Sequence, residues 1–155
     1  MKNIYYYESC IGNIGIAEEE GKITNILFEN EKLNNTFVIK EIEIIKKAHD
    51  EIEEYFLGKR KGFTIEINPK GTDFMKSVWK ELCNIPYGKT VSYKDIAMAI
   101  GNEKAARAVG MANNKNPIPI FIPCHRVIGK NGQLVGYSGG VDIKHKLLEI
   151  EKNNN

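Results

Sequence analysis

Residues 92–114, SYKDIAMAIGNEKAARAVGMANN, decide the fold of the second half of the chain. Ser92 followed by Asp95 is the pattern of a capping box, which starts a helix by satisfying its free backbone amides. Gly101 is a plausible end for this helix, and a second helix capped by Asn102 is expected to follow. Two short helices joined through a glycine predict a helix-turn-helix.

The rest of the second half continues this helical pattern around one irregular stretch. Apolar residues over 74–82 recur at helical spacing, and that helix ends at a proline–glycine stretch over 86–88. Residues 116–123, NPIPIFIP, form an extended apolar run, which proline confines to a sheet edge or a buried crossing. A glycine-rich loop over 129–140 leads to a last helix that begins near residue 142.

The first half of the chain indicates short strands around one helix. Aromatic and β-branched runs predict strands over 4–8, 14–18 and 23–28. Helical spacing predicts a helix over 39–57, and Gly58 is its expected end. Alternation over 63–67 predicts one more strand, and residues 68–71 are typical of a linker.

These patterns predict an α/β fold of the α+β kind, with two domains. A small strand-rich N-terminal domain with one helix, residues 1–71, precedes a mostly helical C-terminal domain, residues 72–155, that contains the helix-turn-helix. Of the 22 Lys and Arg and 20 Asp and Glu, the first domain carries 10 and 13, which leaves 12 and 7 for the second. A polyanion would therefore meet the basic second domain, although chance variation on a solvated surface explains the asymmetry equally well.

Composition excludes several classes of protein. An apolar fraction of 42% with 27% charged residues is typical of a globular chain and excludes general disorder. The chain has neither an apolar run of about 18 residues, as a membrane span needs, nor a secretory signal at its N-terminus. Three cysteines without paired spacing, Cys10, Cys83 and Cys124, indicate a reducing compartment, so we expect a cytoplasmic location without membrane association.

The segment Pro123-Cys124-His125-Arg126 is the first candidate for chemistry. Cys124 follows an apolar run and is either a small core residue or a reactive thiolate favoured by its two basic neighbours. Because neighbouring side chains of a strand point to opposite faces, His125 reaches Cys124 only if the backbone turns there or a water bridges them. Chemistry alone leaves both interpretations open.

The helix pair is the second candidate. Arg107 faces away from the apolar side of its helix, and small residues such as Ala106 and Gly110 would let a partner approach the backbone closely. Lys104 and Lys115 could add the phosphate contacts that dominate nucleic-acid affinity. The alternative is an ordinary exposed helix with a solvated arginine.

The last helix is the third candidate. Lys144, Leu148 and Glu151 share one face because they stand at i, i+4 and i+7. A competing apolar stripe, rotated by one residue, consists of Ile143, Leu147 and Ile150. Spacing alone places the two charged residues at the border of the core, with their tips reaching water past apolar stems.

Taken in order, these segments resemble the O6-alkylguanine-DNA alkyltransferases. The resemblance is dense over residues 72–151 and covers the first half only in size and coarse strand–helix character. The segments that carry it are GKTVSY at 88–93, AARAVG at 105–110, NPIP at 116–119, IPCHRV at 122–127, GYSGG at 136–140, Lys144 and Leu147-Leu148.

The resemblance implies a DNA repair protein that binds double-stranded DNA carrying O6-alkylguanine. Such a protein takes the alkyl group of O6-methylguanine, and of O4-methylthymine, onto a cysteine in a single turnover. The helix-turn-helix of this family enters the minor groove, which suits the small residues Ala105, Ala106 and Gly110. By motif position, Arg107 fills the space of the extruded nucleotide and Tyr93 presses on the adjoining phosphate.

The same resemblance assigns the chemistry. Cys124 is the nucleophile, His125 the base acting through a bridging water, and Glu151 the residue that orients His125. Tyr93 and the backbone near Ser138 hydrogen-bond or protonate the leaving guanine, with support from Lys144. The carbonyls of Cys124 and Val127 recognise the guanine amino group, Tyr137 lines the pocket, and Asn116 holds the reactive segment.

We expect no cofactor and no metal. Some members of the family hold a structural zinc in the first half, where this chain offers only Cys10 and His49 as soft ligands, too few for a closed site. The chain shows no heptad or long apolar face, and we expect a monomer. Three alternatives remain: a damage-binding relative, which would lack the acceptor cysteine; a helix-turn-helix regulator, which would need no PCHRV motif; and a cysteine hydrolase, which would need a histidine from elsewhere in the chain.

Overall fold

The computed structural model describes residues 1–33, 36–134 and 136–155, which form two compact units, Met1–Lys70 and Gly71–Asn155. The first unit is built on a strand sheet and the second is mostly helical, so the predicted fold class is confirmed. Among the described residues, no helix is both long and apolar enough to cross a bilayer.

A four-stranded sheet covered by one helix forms the first unit. The strands are β1 (Lys2–Tyr7), β2 (Ile14–Glu19), β3 (Lys22–Leu27) and β4 (Val38–Ile39), and their order in the sheet is β3-β2-β1-β4. β1, β2 and β3 pair antiparallel, whereas β4 is parallel to β1. Glu20 and Gly21, both at positive φ, form the two-residue hairpin between β2 and β3.

Helix α1 (Glu43–Phe56) packs its apolar face on this sheet. Its buried apolar residues recur at helical spacing and are Ile45, Ala48, Ile52 and Tyr55. The helix begins four residues later than the predicted 39–57, because Val38 and Ile39 pair with β1 instead.

The strand predicted over 63–67 is wrong, apart from a single bridge between Ile67 and Ile23. The carboxylate of Glu51 on α1 accepts hydrogen bonds from the backbone amides of Thr64 at 2.9 Å and Ile65 at 3.4 Å. These amides are therefore satisfied by a side chain, so the pairing with β3 is limited to the bridge at Ile67.

The second unit contains two longer helices, the predicted helix pair and a short two-stranded sheet. Its elements in order are α2 (Asp73–Leu82), β5 (Val91–Ser92), α3 (Tyr93–Ala99), a 3₁₀ turn (Glu103–Ala105), α4 (Ala106–Asn114), a 3₁₀ turn (Cys124–Arg126), β6 (Val127–Ile128), a 3₁₀ turn (Lys130–Gly132) and α5 (Val141–Asn153). β5 and β6 pair in parallel, and the indole of Trp79 on α2 donates to the carbonyl of Ala112 on α4 at 2.8 Å.

The predicted helix pair is present as α3 and α4. Ser92 accepts from the amide of Asp95 at 3.1 Å, and the Asp95 carboxylate accepts from the amide of Ser92 at 2.9 Å, so the capping box is confirmed. Gly101 ends this segment at φ +83°, a conformation that favours glycine. The expected cap at Asn102 is wrong: its side chain makes no cap hydrogen bond, and a 3₁₀ turn precedes α4.

The capping box carries a stability prediction. Replacing Ser92 with alanine leaves one amide of the first turn of α3 without its acceptor, so we expect unfolding to become easier by about 1 kcal/mol. Urea unfolding followed by circular dichroism measures this change. Ser77→Ala, which removes an exposed hydroxyl from the middle of α2, is the control, and equal effects of the two substitutions would contradict the prediction.

The apolar run over 116–123 is a buried crossing, which was one of the two expected alternatives. It is not fully extended, however. The amide of Ile122 donates to the carbonyl of Ile118 at 3.0 Å, and Ile120 between them lies at φ +76°. The run therefore delivers the chain to Cys124 through a turn lined by buried isoleucines.

Candidate active site

Cys124 opens a single 3₁₀ turn, Cys124–Arg126. The amide of Arg126 donates to the carbonyl of Pro123 at 3.0 Å, and the amide of Cys124 donates to the carbonyl of Ile122 at 2.7 Å. The backbone therefore turns at Cys124, which was one of the two ways in which the adjacent His125 could reach it. Cys124 is only 2% exposed, so the surrounding side chains set its chemistry.

Two buried asparagines hold the cysteine segment. Asn116 donates to the carbonyl of Ile122 at 2.8 Å and accepts from the amide of Ile118 at 3.0 Å. Its side chain also hydrogen-bonds Cys124, and Asn113 donates to the Cys124 carbonyl at 3.4 Å. Asn113 was not predicted from the sequence; its position four residues after Val109, on the buried side of α4, is the signal that could have identified it.

Burial raises the pKa of the Cys124 thiol to about 11. The hydrogen bond from Asn116 and the charge of Lys144 oppose this effect without cancelling it. The expectation that Arg126 favours a thiolate is corrected by its position, because its guanidinium is bonded to Glu151. The cysteine thus rests as a thiol and needs a base before it can attack.

The raised pKa predicts the pH dependence of Cys124 towards a small reagent. Below the pKa, the thiolate fraction rises tenfold for each pH unit, so the rate of reaction with iodoacetamide should rise about tenfold per unit from about pH 7 to 9. Peptide mass mapping follows Cys124, with the exposed Cys10 as an internal reference for the reagent. A Cys124 rate that levels off below pH 8 would refute the raised pKa.

His125 and Glu151, predicted to act together, are in direct contact. Nε2 of His125 lies 2.5 Å from Oε2 of Glu151, and both side chains are buried. Burial lowers the pKa of His125, while the bond and charge of Glu151 act in the opposite direction. A glutamate on α5 is therefore placed to orient the imidazole beside the cysteine.

Arg126 is bonded to the same glutamate, a contact that was not predicted from the sequence. Its Nε donates to Oε1 of Glu151 at 2.8 Å, its Nη2 donates to Oε2 at 3.1 Å, and its Nη1 donates to the carbonyl of Ile85 at 2.7 Å. The amide of Gly88 also donates to Oε1 at 3.0 Å. A buried glutamate needs cationic partners, and this requirement could have pointed to Arg126 from the sequence.

The inner face of α5 combines features of both predicted stripes. Its buried residues are Lys144, Leu147 and Glu151, whereas Ile143 and Ile150 are only half-buried. The expectation from spacing that Lys144 and Glu151 reach water at the border of the core is wrong. Lys144 is fully buried, and its Nζ donates to the carbonyl of Val127 at 2.6 Å. Burial lowers the pKa of Lys144.

Tyr93 and Arg107 border one cavity of about 470 Å³. Burial raises the pKa of Tyr93, and the nearby Cys124 adds to the rise, which places Tyr93 within electrostatic reach of the cysteine. A Cβ at Gly136 would lie only 3.3 Å from the Tyr93 hydroxyl, so glycine at this position allows the close approach. The cavity is lined by Ser92, Tyr93, Lys94, Ala106, Arg107, Gly110, Ile128 and Lys130.

The residues of α4 lie on the sides of the helix that the sequence predicted. Arg107 is exposed, opposite the buried Val109 and Ala112. Ala105, Ala106 and Gly110 are half-buried small residues at the start of this helix and one turn into it.

The loop before α5 holds the remaining predicted residues. Tyr137 is buried and its carbonyl accepts from the amide of Gly140 at 3.0 Å, while Ser138 is exposed. Neither residue is among the described residues that line the cavity. Their roles towards a substrate stay predictions.

The other two cysteines, Cys10 and Cys83, are exposed, whereas Cys124 is buried. Among the described residues, no group of three or more His, Cys, Asp or Glu side chains is arranged to hold a metal ion.

The fold and site together define a class: a strand-rich unit followed by a helix-turn-helix unit that carries a buried cysteine backed by a His–Glu pair. Residues 73–153 match the family model of the 6-O-methylguanine DNA methyltransferase DNA-binding domain. Residues 4–69 match the model of the ribonuclease-like domain of the same proteins. The chain belongs to the 6-O-methylguanine DNA methyltransferase family, and the resemblance stated from the sequence is confirmed.

Individual relatives are similar over nearly the whole chain. A methylated-DNA–protein-cysteine methyltransferase of Methanosarcina barkeri is 49% identical over 97% of this chain and 99% of its own length. The constitutive enzyme of that name from Bacillus subtilis is 46% identical over 94% of this chain and 92% of its own. The structure of Mycobacterium tuberculosis OGT in complex with DNA has a TM-score of 0.93 at 41% identity, covering 98% of this chain and 94% of that one.

Proposed function

We propose that the chain repairs DNA by moving the alkyl group of O6-alkylguanine in double-stranded DNA onto Cys124. The observation that carries the proposal is the buried cysteine on its 3₁₀ turn, with His125 and Glu151 in contact at 2.5 Å. The names of the relatives, methylated-DNA–protein-cysteine methyltransferases, supply the substrate class. The similarity to Mycobacterium tuberculosis OGT, whose structure is that of a complex with DNA, supports DNA as the partner.

Activation of the cysteine begins with a proton transfer. Because the pKa of Cys124 is raised to about 11, the resting group is a thiol and must lose its proton as it attacks. Nε2 of His125 is directed at the Glu151 carboxylate, so Nδ1 carries the basic lone pair. The thiol proton passes through a bridging water to Nδ1, and Glu151 stabilises the imidazolium that forms.

The displacement then occurs in line at the alkyl carbon. The sulfur of Cys124 forms the new carbon–sulfur bond, the carbon–O6 bond breaks, and its electron pair stays on the guanine. The guanine gains a hydrogen bond or proton from the Tyr93 hydroxyl, supported by Lys144 and the backbone near Ser138. The proton lost by the thiol to His125 balances the proton that the guanine gains.

Recognition of the base would use carbonyl groups of the cysteine turn. The carbonyls of Cys124 and Val127 accept from the guanine amino group, and Tyr137 lines the pocket. The Val127 carbonyl already accepts from Lys144, so its second lone pair would serve the base. Asn116, bonded to both Ile118 and Ile122, would keep these carbonyls in place.

Binding to DNA would place α4 in the minor groove. The small residues Ala105, Ala106 and Gly110 allow its backbone to approach, and Arg107 would enter the stack where the nucleotide leaves it. A buried thiol cannot reach the alkyl carbon of a stacked base, so extrusion is a physical requirement. Tyr93, on the same cavity as Arg107, would press on the adjoining phosphate.

The role of Arg107 can be tested on duplex DNA. We expect Arg107→Ala to lower the rate of alkyl transfer at subsaturating duplex by about 10–100-fold, because the cost of unstacking, a few kcal/mol, is no longer offset. Quenched-flow transfer assays on duplex and on single-stranded DNA measure the effect, which should be smaller on the single strand. Lys152→Ala, which removes one positive charge at the end of α5, is the control.

Further aspects follow from the product and the composition. A thioether is a poor leaving group, so each chain would act once, without a cofactor. We also propose action on O4-methylthymine, a monomeric state, and a cytoplasmic location, the last supported by three cysteines without paired spacing. Residues 1–71 would serve as a scaffold, and residues 72–155 as the DNA-binding and alkyl-acceptor domain.

The proposal is tested by incubating the protein with a duplex that carries a single O6-methylguanine. Alkyl transfer predicts a gain in protein mass that saturates at one methyl group per chain. Tight lesion-selective binding without a mass gain would instead indicate a damage-binding protein, and hydrolysis of small esters without DNA chemistry would indicate a cysteine hydrolase.

A further inference from the structure

Glu151 connects His125 to Arg126. Its Oε2 lies 2.5 Å from Nε2 of His125 and accepts from Nη2 of Arg126 at 3.1 Å, while its Oε1 accepts from Nε of Arg126 at 2.8 Å. All three side chains are buried, with Arg126 6% exposed and the other two 1% or less. The amide of Gly88 and the ring of Tyr87, 5.6 Å from the guanidinium carbon, also border this cluster.

Other ionisable groups face the cluster from the elements packed around it. Lys144 lies on α5 with Glu151 and acts electrostatically on both His125 and Cys124. The thiol of Cys83, at the end of α2, is within reach of the Arg126 charge, and the phenol of Tyr87 is within reach of Glu151. Among these described groups, Arg126 and Lys144 carry positive charge and Glu151 carries the negative charge.

His125 can act as a base only if its imidazole is neutral at rest. A guanidinium stays protonated in a protein, so the Glu151–Arg126 pair is neutral as a unit. Protonating His125 at rest would then add a net positive charge beside Arg126 and Lys144 in a buried site, which is costly because no Cys124 thiolate is present at rest to offset it. Without Arg126, the same carboxylate would instead form an ion pair with a protonated imidazole.

We propose that Arg126 is a positioning residue that takes up the charge of Glu151 and so keeps His125 neutral and able to receive the Cys124 proton. The part of this inference that concerns Cys124 rests on the proposed function. The charge partition itself does not, and it can be measured without DNA. The bidentate bond also fixes the Glu151 carboxylate, which in turn fixes the imidazole.

The first test is a titration of the wild-type protein, whose three histidines give a simple imidazole spectrum. In ¹⁵N-labelled protein we expect the His125 ring to be neutral at pH 7, with its proton on Nε2. A doubly protonated His125 ring at pH 7 would overturn the proposal. This outcome requires no variant, so the proposal stays falsifiable if a substitution prevents folding.

The second test compares Arg126→Gln with Arg126→Lys. In Arg126→Gln the His125 titration and the acid limb of the alkyl-transfer rate should both move upward by about one pH unit or more, since a neighbouring cation is lost. On the acid limb, well below both pKa values, transfer at a given pH should then be about tenfold slower than in wild type, and it should recover at higher pH. Arg126→Lys, which retains the charge, should keep the wild-type acid limb even where its overall rate is lower.

Equal acid limbs in folded Arg126→Gln and wild type, or equal shifts in the glutamine and lysine variants, would overturn the charge role. Failure of the proposed function is a separate outcome. It would appear as a wild-type protein that gains no alkyl group at any pH, whatever the protonation state of His125.

Discussion

Glu151→Gln is expected to lower the free energy of unfolding of the helical unit by about 3–5 kcal/mol, because it leaves the Arg126 guanidinium buried without its anion. The loss also weakens the bonds that Glu151 makes to His125 and to the amide of Gly88. Urea unfolding measures the effect, and the fluorescence of Trp79, the single tryptophan of the chain, reports on this unit.

The same helix provides the matched control. Glu149 is exposed and lies 3.1 Å from His145, one turn earlier. Because exposed pairs of this kind contribute little, Glu149→Gln should change stability by less than about 0.5 kcal/mol. If the two glutamine variants unfolded at the same urea concentration, the role of Glu151 as the anchor of the cluster would be refuted.

Lys144→Met is expected to slow alkyl transfer strongly while changing stability little. The buried ammonium lowers the pKa of Cys124, so its removal should raise the pKa of this thiol further and disfavour the attacking thiolate. Loss of about 1–2 kcal/mol of this electrostatic support corresponds to a rate about 5–30-fold lower. Single-turnover transfer from the lesion duplex at saturating protein measures the rate.

Stability should respond less because two effects oppose each other in this variant. The Val127 carbonyl loses its donor at 2.6 Å, but an ammonium no longer has to be buried, and methionine fills a similar volume. Lys146→Met, an exposed position on the same helix, is the control. A Lys144→Met protein that transfers at the wild-type rate would contradict the assigned role of Lys144.

Short-range patterns in the sequence were strong enough to predict the fold. The capping box at Ser92 and Asp95, the glycine at 101 and the hairpin at Glu20-Gly21 each encode a backbone geometry within a few residues. Predictions went wrong where a distant group replaced the local partner. The segment 63–67 alternates like a strand, but the Glu51 carboxylate takes its amides, and no local pattern records that contact.

In the site, too, the features that the sequence did not predict depend on partners far away in the chain. The cysteine motif and the resemblance predicted that Lys144 and Glu151 matter, whereas spacing alone placed them at the border of the core. Their burial depends on partners elsewhere in the chain: the Val127 carbonyl for the lysine, and His125 with Arg126 for the glutamate. Arg126 was missed as a partner because side-chain pairing across 25 residues leaves no periodic trace.

The identity of the alkylated residue is the most direct test of the proposed chemistry. The protein is incubated with a duplex bearing one O6-methylguanine, its intact mass is taken, and the modified peptide is sequenced. We predict a gain of one methylene mass on Cys124, saturating at one per chain and absent in Cys124→Ala. A methyl group on Cys10 or Cys83, or a Cys124→Ala protein that still gains the mass, would contradict alkyl transfer to Cys124.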